Sequence, residues 1–192
     1  MSEARSRLLN TATELFYAEG IHAVGVDRVI ATAQVTRATL YRHFPSKDDL
    51  VVAYLTQADE AIRARTAAAR AQDVTPADIV RAVGRDIAED IQRPGFRGCA
   101  FLNAVAEYPD PEHPVHRAVL AHRQWFLATV TELLADTGET QPEPAARHFV
   151  MLRDGAMAAG CLTDPRPISE TFLLGVEGLL THRNRGRPRS YG

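Results

Sequence analysis

Apolar residues recur along this chain at the three- and four-residue spacing of a helix, and no run alternates apolar and polar positions between hairpin turns as a half-buried strand would. From about Glu3 to Glu19, Leu8, Ala12, Leu15 and Phe16 form one stripe, and Gly20 stands where a left-handed residue closes a helix. A short second helix is predicted from Val26 to Ala33, with Gly25 or Asp27 near its start and Val26, Val29 and Ile30 apolar. Thr36 caps a third, from Arg37 to Phe44, in which Leu40 and Phe44 lie one turn apart and face inward. Pro45 closes it. Ser46 then opens a fourth helix with Asp49 three residues on, a capping box in weaker form, and the pattern runs past Leu55 toward Ala71.

Prolines and glycines divide the remainder. Helices are predicted from Pro76 to Gln92, over 98–108, from Val115 to Thr137, from Pro144 to Leu162 and from Ser169 to His182. The breaks are Pro94-Gly95, "PDPEHP", Gly138 and "TDPRPIS". The expectation is an all-α chain of about nine helices: a three-helix N-terminal domain over residues 1–50, a larger helical domain over 51–183 and a basic tail over 184–192. No apolar run reaches the roughly 18 residues a membrane span requires, and no leader with a cleavage site is seen. That leaves the cytoplasm as the expected location, with no membrane partner. Cys99 and Cys161 lie far apart, which speaks against a disulfide framework or a zinc knuckle.

The net charge of -2 says little until it is resolved along the chain. Residues 1–54 carry six basic and six acidic side chains, 55–181 carry 12 and 18, and 182–192 carry four and none. A neutral N-terminal segment can still present a basic face if its acids point elsewhere. The stretch "TRATLYRHFPSKDDL", residues 36–50, concentrates such donors.

Helices two and three are joined only by Gln34, Val35 and Thr36, the link length of a helix-turn-helix, whose second helix enters the DNA major groove. With Leu40 and Phe44 turned inward, Arg37, Ala38, Tyr41 and Arg42 occupy the other faces. Arginine grips guanine bidentately, and threonine and alanine contact the thymine methyl, so Arg37, Ala38 and Thr39 are the candidate base readers. Tyr41, His43 and Lys47 are candidate phosphate partners, and Arg28 and Thr36 complete the expected DNA-binding set.

Residues 24–50, "VGVDRVIATAQVTRATLYRHFPSKDDL", resemble the N-terminal signature of the tetracycline-repressor-like (TetR) family, with "TLYRHF" and a lysine at the next helix start. The resemblance implies a homodimer of Ω-like outline on a palindromic operator, a variable C-terminal ligand domain, and repression relieved by a small molecule. "RGCAFLNAVAEYPDPEHPV" and "LRDGAMAAG" are similar to C-terminal stretches of one branch of the family. Where the family's turn usually has glycine this chain has Gln34, and a left-handed non-glycine residue costs on the order of 1 kcal/mol. Phe101, Tyr108, Trp125, Phe149 and Met151 are the candidate pocket residues that the resemblance implies. Gly155, Ala159, Phe172, Gly175, Val176 and Leu179 are the candidate dimer contacts, because small residues let helices of two copies approach closely.

Other chemistry stays open at this level. Asp110, Glu112, His113 and His116 could hold a divalent metal in an all-helical enzyme, although a proline-rich loop with acids before a helix is more often a charged N-terminal cap. No phosphate loop, nucleophile elbow or HExxH is present, so no cofactor, resident metal or catalytic residue is expected. Cys99 and Cys161 read as packing cysteines rather than redox sensors. Arg185-Gly186-Arg187-Pro188 resembles a minor-groove arginine hook or, alternatively, belongs to a solubilising tail. A dimeric DNA-binding protein without any effector also fits the sequence.

Overall fold

The computed structural model describes residues 2–181; the tail reading at Arg185–Pro188 lies outside them. Among the described residues the chain forms α1 (Glu3–Glu19), α2 (Val26–Ala33), α3 (Arg37–His43), α4 (Lys47–Arg70), α5 (Pro76–Gln92), α6 (Ala100–Glu107), α7 (Pro114–Asp136), α8 (Pro142–Ala159) and α9 (Pro165–Thr181), with no strand. Two boundaries differ from expectation by more than two residues. The α9 helix starts at Pro165 rather than Ser169, because its first turn needs no backbone N–H from Pro165 or Pro167 and the Asp164 carboxylate accepts from the Arg166 N–H. At its other end α8 stops at Ala159, three residues before Leu162.

Packing groups the chain into two units: residues up to Ala64 with Cys99–Arg123, and Arg65–Gly98 with residues from Gln124 onward. No division falls at residue 50, since Leu50, Val51, Tyr54 and Leu55 on α4 are all buried and the Tyr54 ring meets Phe16 of α1 edge-on at 6.0 Å. Leu8, Ala12, Val24, Val29 and Leu40 complete the core beneath α2 and α3. In the second unit α5, α8 and α9 pack together around Val80, Ile91, Phe149, Phe172 and Val176. Phe149 stands edge-on to Phe172 at 5.9 Å, and the buried Ser169 hydroxyl donates to the Ala88 carbonyl. Gly175 lets α9 approach α8 closely: a Cβ there would come within 2.9 Å of Leu152 Cδ1, so a larger residue would oblige the end of that side chain to move.

The turn between α2 and α3 is closed by Gln34 at φ 52°, ψ 50°. Its N–H donates to the Ala31 carbonyl and that of Val35 to the Ile30 carbonyl, the pair of bonds that ends a helix on a left-handed residue. The expected cost of a side chain at this φ is therefore real. Replacing Gln34 by glycine should stabilise the protein by up to about 1 kcal/mol in urea denaturation, and an unchanged or lower midpoint would mean that the glutamine side chain compensates.

Candidate nucleic-acid interface

The helix-turn-helix rests on a division of labour within α3. Leu40 is fully buried and Phe44 nearly so, which fixes the helix on the core. Arg37, Ala38, Tyr41 and Arg42 are then exposed by helical geometry, and Thr39 is half-buried. The Thr36 hydroxyl accepts from the Thr39 N–H at 3.1 Å and lies 2.9 Å from the Thr39 hydroxyl, so the first turn is held in place from its own residues. The Ser46 hydroxyl likewise accepts from the Asp49 N–H at 3.1 Å and donates to its carboxylate at 2.7 Å.

The candidate DNA-contacting cations differ in how they are held. Arg37 Nη2 donates to Asp27 Oδ1 across the turn. Arg28 Nη2 pairs with Glu19 at 2.7 Å, which ties the start of α2 to the end of α1. His43 Nε2 lies 3.2 Å from the Ser2 hydroxyl. Lys47 is half-buried, its ammonium 6.0 Å from the centre of the Phe16 ring, and burial pulls its pKa below the usual lysine value despite the opposing pull of Glu107 and Asp48.

Sequence reasoning missed what braces this head from behind. Glu107, the last residue of α6, accepts from the Ile21 N–H through Oε1 at 2.9 Å and from the His22 N–H through Oε2 at 2.5 Å. Both donors lie in the turn between α1 and α2, which has no helical partners for them. Beside this hook, Asp48 accepts from the Tyr108 hydroxyl at 3.3 Å and faces His113 Nε2 at 3.3 Å. Burial, followed by Asp48 and Glu107, pushes the Tyr108 hydroxyl up to about 12. It stays a neutral donor at any physiological pH.

The proposed metal ligands turn to other partners. His113 Nδ1 accepts from the Val115 N–H, which leaves its Nε2 to carry the proton toward Asp48. His116 Nδ1 lies 2.8 Å from the Tyr108 carbonyl. Asp110 accepts from the Glu112 N–H, and Glu112 pairs with Arg117 at 3.8 Å. The described residues contain no group of three or more His, Cys, Asp or Glu side chains placed to hold a metal. Cys99 is buried at the start of α6; at Cys161 burial raises the thiol pKa against the pull of Arg97, which leaves less of the reactive thiolate.

The expected pocket and dimer residues scatter. Phe101 is buried, its ring stacked on His122 at 3.6 Å, and Phe149 is enclosed by Phe126 and Phe172. Tyr108 belongs to the hook region, Trp125 is half-buried, and Met151 is 72% exposed. Among the expected dimer contacts, Phe172 and Val176 are corrected: both lie in the core of their own unit. Gly155 faces open space and Gly175 packs on Leu152. Ala159 and Leu179 are half-buried.

The family described as bacterial regulatory proteins, tetR family, matches residues 8–54, the stretch that carries the helix-turn-helix. The whole chain is similar to the crystal structure of SCO4454, a TetR-family transcriptional regulator from Streptomyces coelicolor, at 70% identity and a TM-score of 0.91 over 94% of this chain and 95% of that one. It is also similar to the HTH-type transcriptional regulator LmrA of Bacillus subtilis (strain 168), 26% identical over 186 residues, covering 93% of this chain and 95% of LmrA. The HTH-type transcriptional activator FasR of Mycolicibacterium smegmatis shares 43% over 53 residues, 28% of this chain and 24% of its own.

Proposed function

Since this chain belongs to the TetR family of DNA-binding transcriptional regulators, we propose that it acts as a homodimeric repressor that leaves a palindromic operator when a small-molecule effector binds. The observation that carries the DNA side is α3, with Leu40 locked in the core while Arg37, Ala38, Tyr41 and Arg42 stand exposed on the other faces. Arg37, Ala38 and Thr39 read base edges. Arg28, Thr36, Tyr41, Arg42, His43 and Lys47 hold the backbone and set register.

The dimer reading draws on the outer side of α8 and α9. Met151 on α8 and Leu174 on α9 are each 72% exposed, and a separate groove of about 520 Å³ between the same two helices is lined by Leu152, Gly175, Gly178 and Leu179 together with the polar Gln141 and His148. A second copy is the occupant that a two-fold regulator supplies. Effector release rests on family membership, as does repression; FasR is named an activator, so a related head serves either sign. The cytoplasm is the proposed location, and no helix of the described residues is long and apolar enough to cross a membrane.

Two tests separate these claims. Selection from random duplexes should return a palindrome with half-site centres about 34 Å, one turn, apart, whereas an asymmetric single site would sink the dimeric reading. Replacing Lys47 by alanine should weaken all duplexes alike and reduce the slope of log affinity against log salt by about one. An unchanged slope would remove Lys47 from the phosphate contacts and leave it as a packing residue over Phe16.

A further inference from the structure

Asp27 is an acid on a face that must meet a polyanion. Its side chain is 78% exposed in the first turn of α2, so it neither fills the core nor escapes the field of an approaching phosphate backbone. Its position has one local consequence: Oδ1 accepts a hydrogen bond from Nη2 of Arg37, the first residue of α3. A cation there meets the positive end of the helix dipole, an arrangement that the adjacent carboxylate offsets. With Arg37 60% exposed as well, the pair contributes little to stability. A carboxylate in the first turn of α2 is favourable on its own account, because it meets the positive end of that helix, but this alone does not call for a partner on α3.

We propose that Asp27 is a specificity-determining positioning residue, which holds one edge of the Arg37 guanidinium so that its remaining donors meet a base edge instead of the nearest phosphate. A guanidinium carries five N–H donors in a fixed plane. One donor engaged by a carboxylate sets the orientation of that plane and leaves others for the paired acceptors O6 and N7 of guanine. The same carboxylate repels phosphate and so penalises the sequence-blind alternative, in which Arg37 swings to the backbone. Specificity thereby increases at the expense of general affinity. The inference rests on Arg37 reading a base, as proposed above.

The test uses the full chain, the selected operator and its complete set of single-base-pair variants, with wild type, Arg37→Ala, Asp27→Ala, Asp27→Asn and the Arg37→Ala/Asp27→Ala double variant. Arg37→Ala should flatten discrimination at one position of each half-site. Asp27→Ala should lose about tenfold in discrimination at that same position while binding an unrelated duplex more tightly. The Asn variant keeps a neutral acceptor and should fall between. In the double variant, removing Asp27 should change the discrimination profile no further. Asp27→Ala weakening every operator variant equally, or adding its effect to that of Arg37→Ala, would overturn the proposal and leave Asp27 as a general charge. Arg37→Ala leaving every position as selective as before would instead overturn the base-reading role of Arg37, and the role of Asp27 with it.

Discussion

Glu107→Ala is expected to destabilise the first unit by about 3 kcal/mol, because one carboxylate satisfies two backbone N–H groups and hydrogen bonds to charged groups contribute roughly 1.5–3 kcal/mol each. The Ile21 donor is the costlier loss, since Ile21 is buried and its N–H gains no water in return. The turn these bonds hold precedes α2, so operator affinity should fall along with stability. Glu107→Gln separates the contributions: its amide presents one acceptor oxygen instead of two and should recover part of the loss. Hydrogen exchange at the Ile21 amide reads the contact directly. Exchange as slow in the alanine variant as in the wild type would show that the carboxylate does not hold the turn. If it does, a displacement at the C-terminal end of α6 would reach the start of the helix-turn-helix through these two bonds, a physical route for the proposed release step.

Phe149→Ala should be the most damaging single substitution in the second unit. The ring has no exposed surface and contacts Phe126 and Phe172, and truncating such a phenylalanine costs about 3–5 kcal/mol in lost transfer energy and residual cavity. For a chain of this length that corresponds to a fall in Tm of roughly 10 °C. Phe149→Leu, which keeps most of the volume, should lose less than half as much. Equal losses for the two variants would mean that the aromatic contacts, rather than the filled volume, matter; a fall of only a degree or two would show a core loose enough to collapse around the gap.

The head was legible in the sequence because its determinants are local. The Leu40 and Phe44 spacing, the caps at Thr36 and Ser46 and the left-handed Gln34 all depend on neighbours within a few residues, and each appears where the pattern puts it. Glu107 escaped notice because its partners are 85 and 86 residues away, and a glutamate at the end of a helix looks the same whether it hooks a turn or faces water. His113 and His116 have metal-like spacing, but their rings meet acceptors that spacing does not reveal, the Asp48 carboxylate on α4 and the Tyr108 carbonyl before α7. The α9 helix shows a different limit. It carries one apolar stripe, Phe172-Val176-Leu180, toward its own unit and a further leucine, Leu174, outward, and periodicity alone cannot say which of these the fold buries.

Fluorescence anisotropy of the full chain decides whether the proposed α3 interface reads DNA sequence. The selected operator is labelled, an unrelated duplex serves as competitor, and the titration is run at two salt concentrations. Binding should be about a thousandfold or more tighter to the operator than to the unrelated duplex, with both affinities falling as salt rises. An operator bound no more tightly than the unrelated duplex, after a selection that enriched no sequence, would contradict the proposed interface.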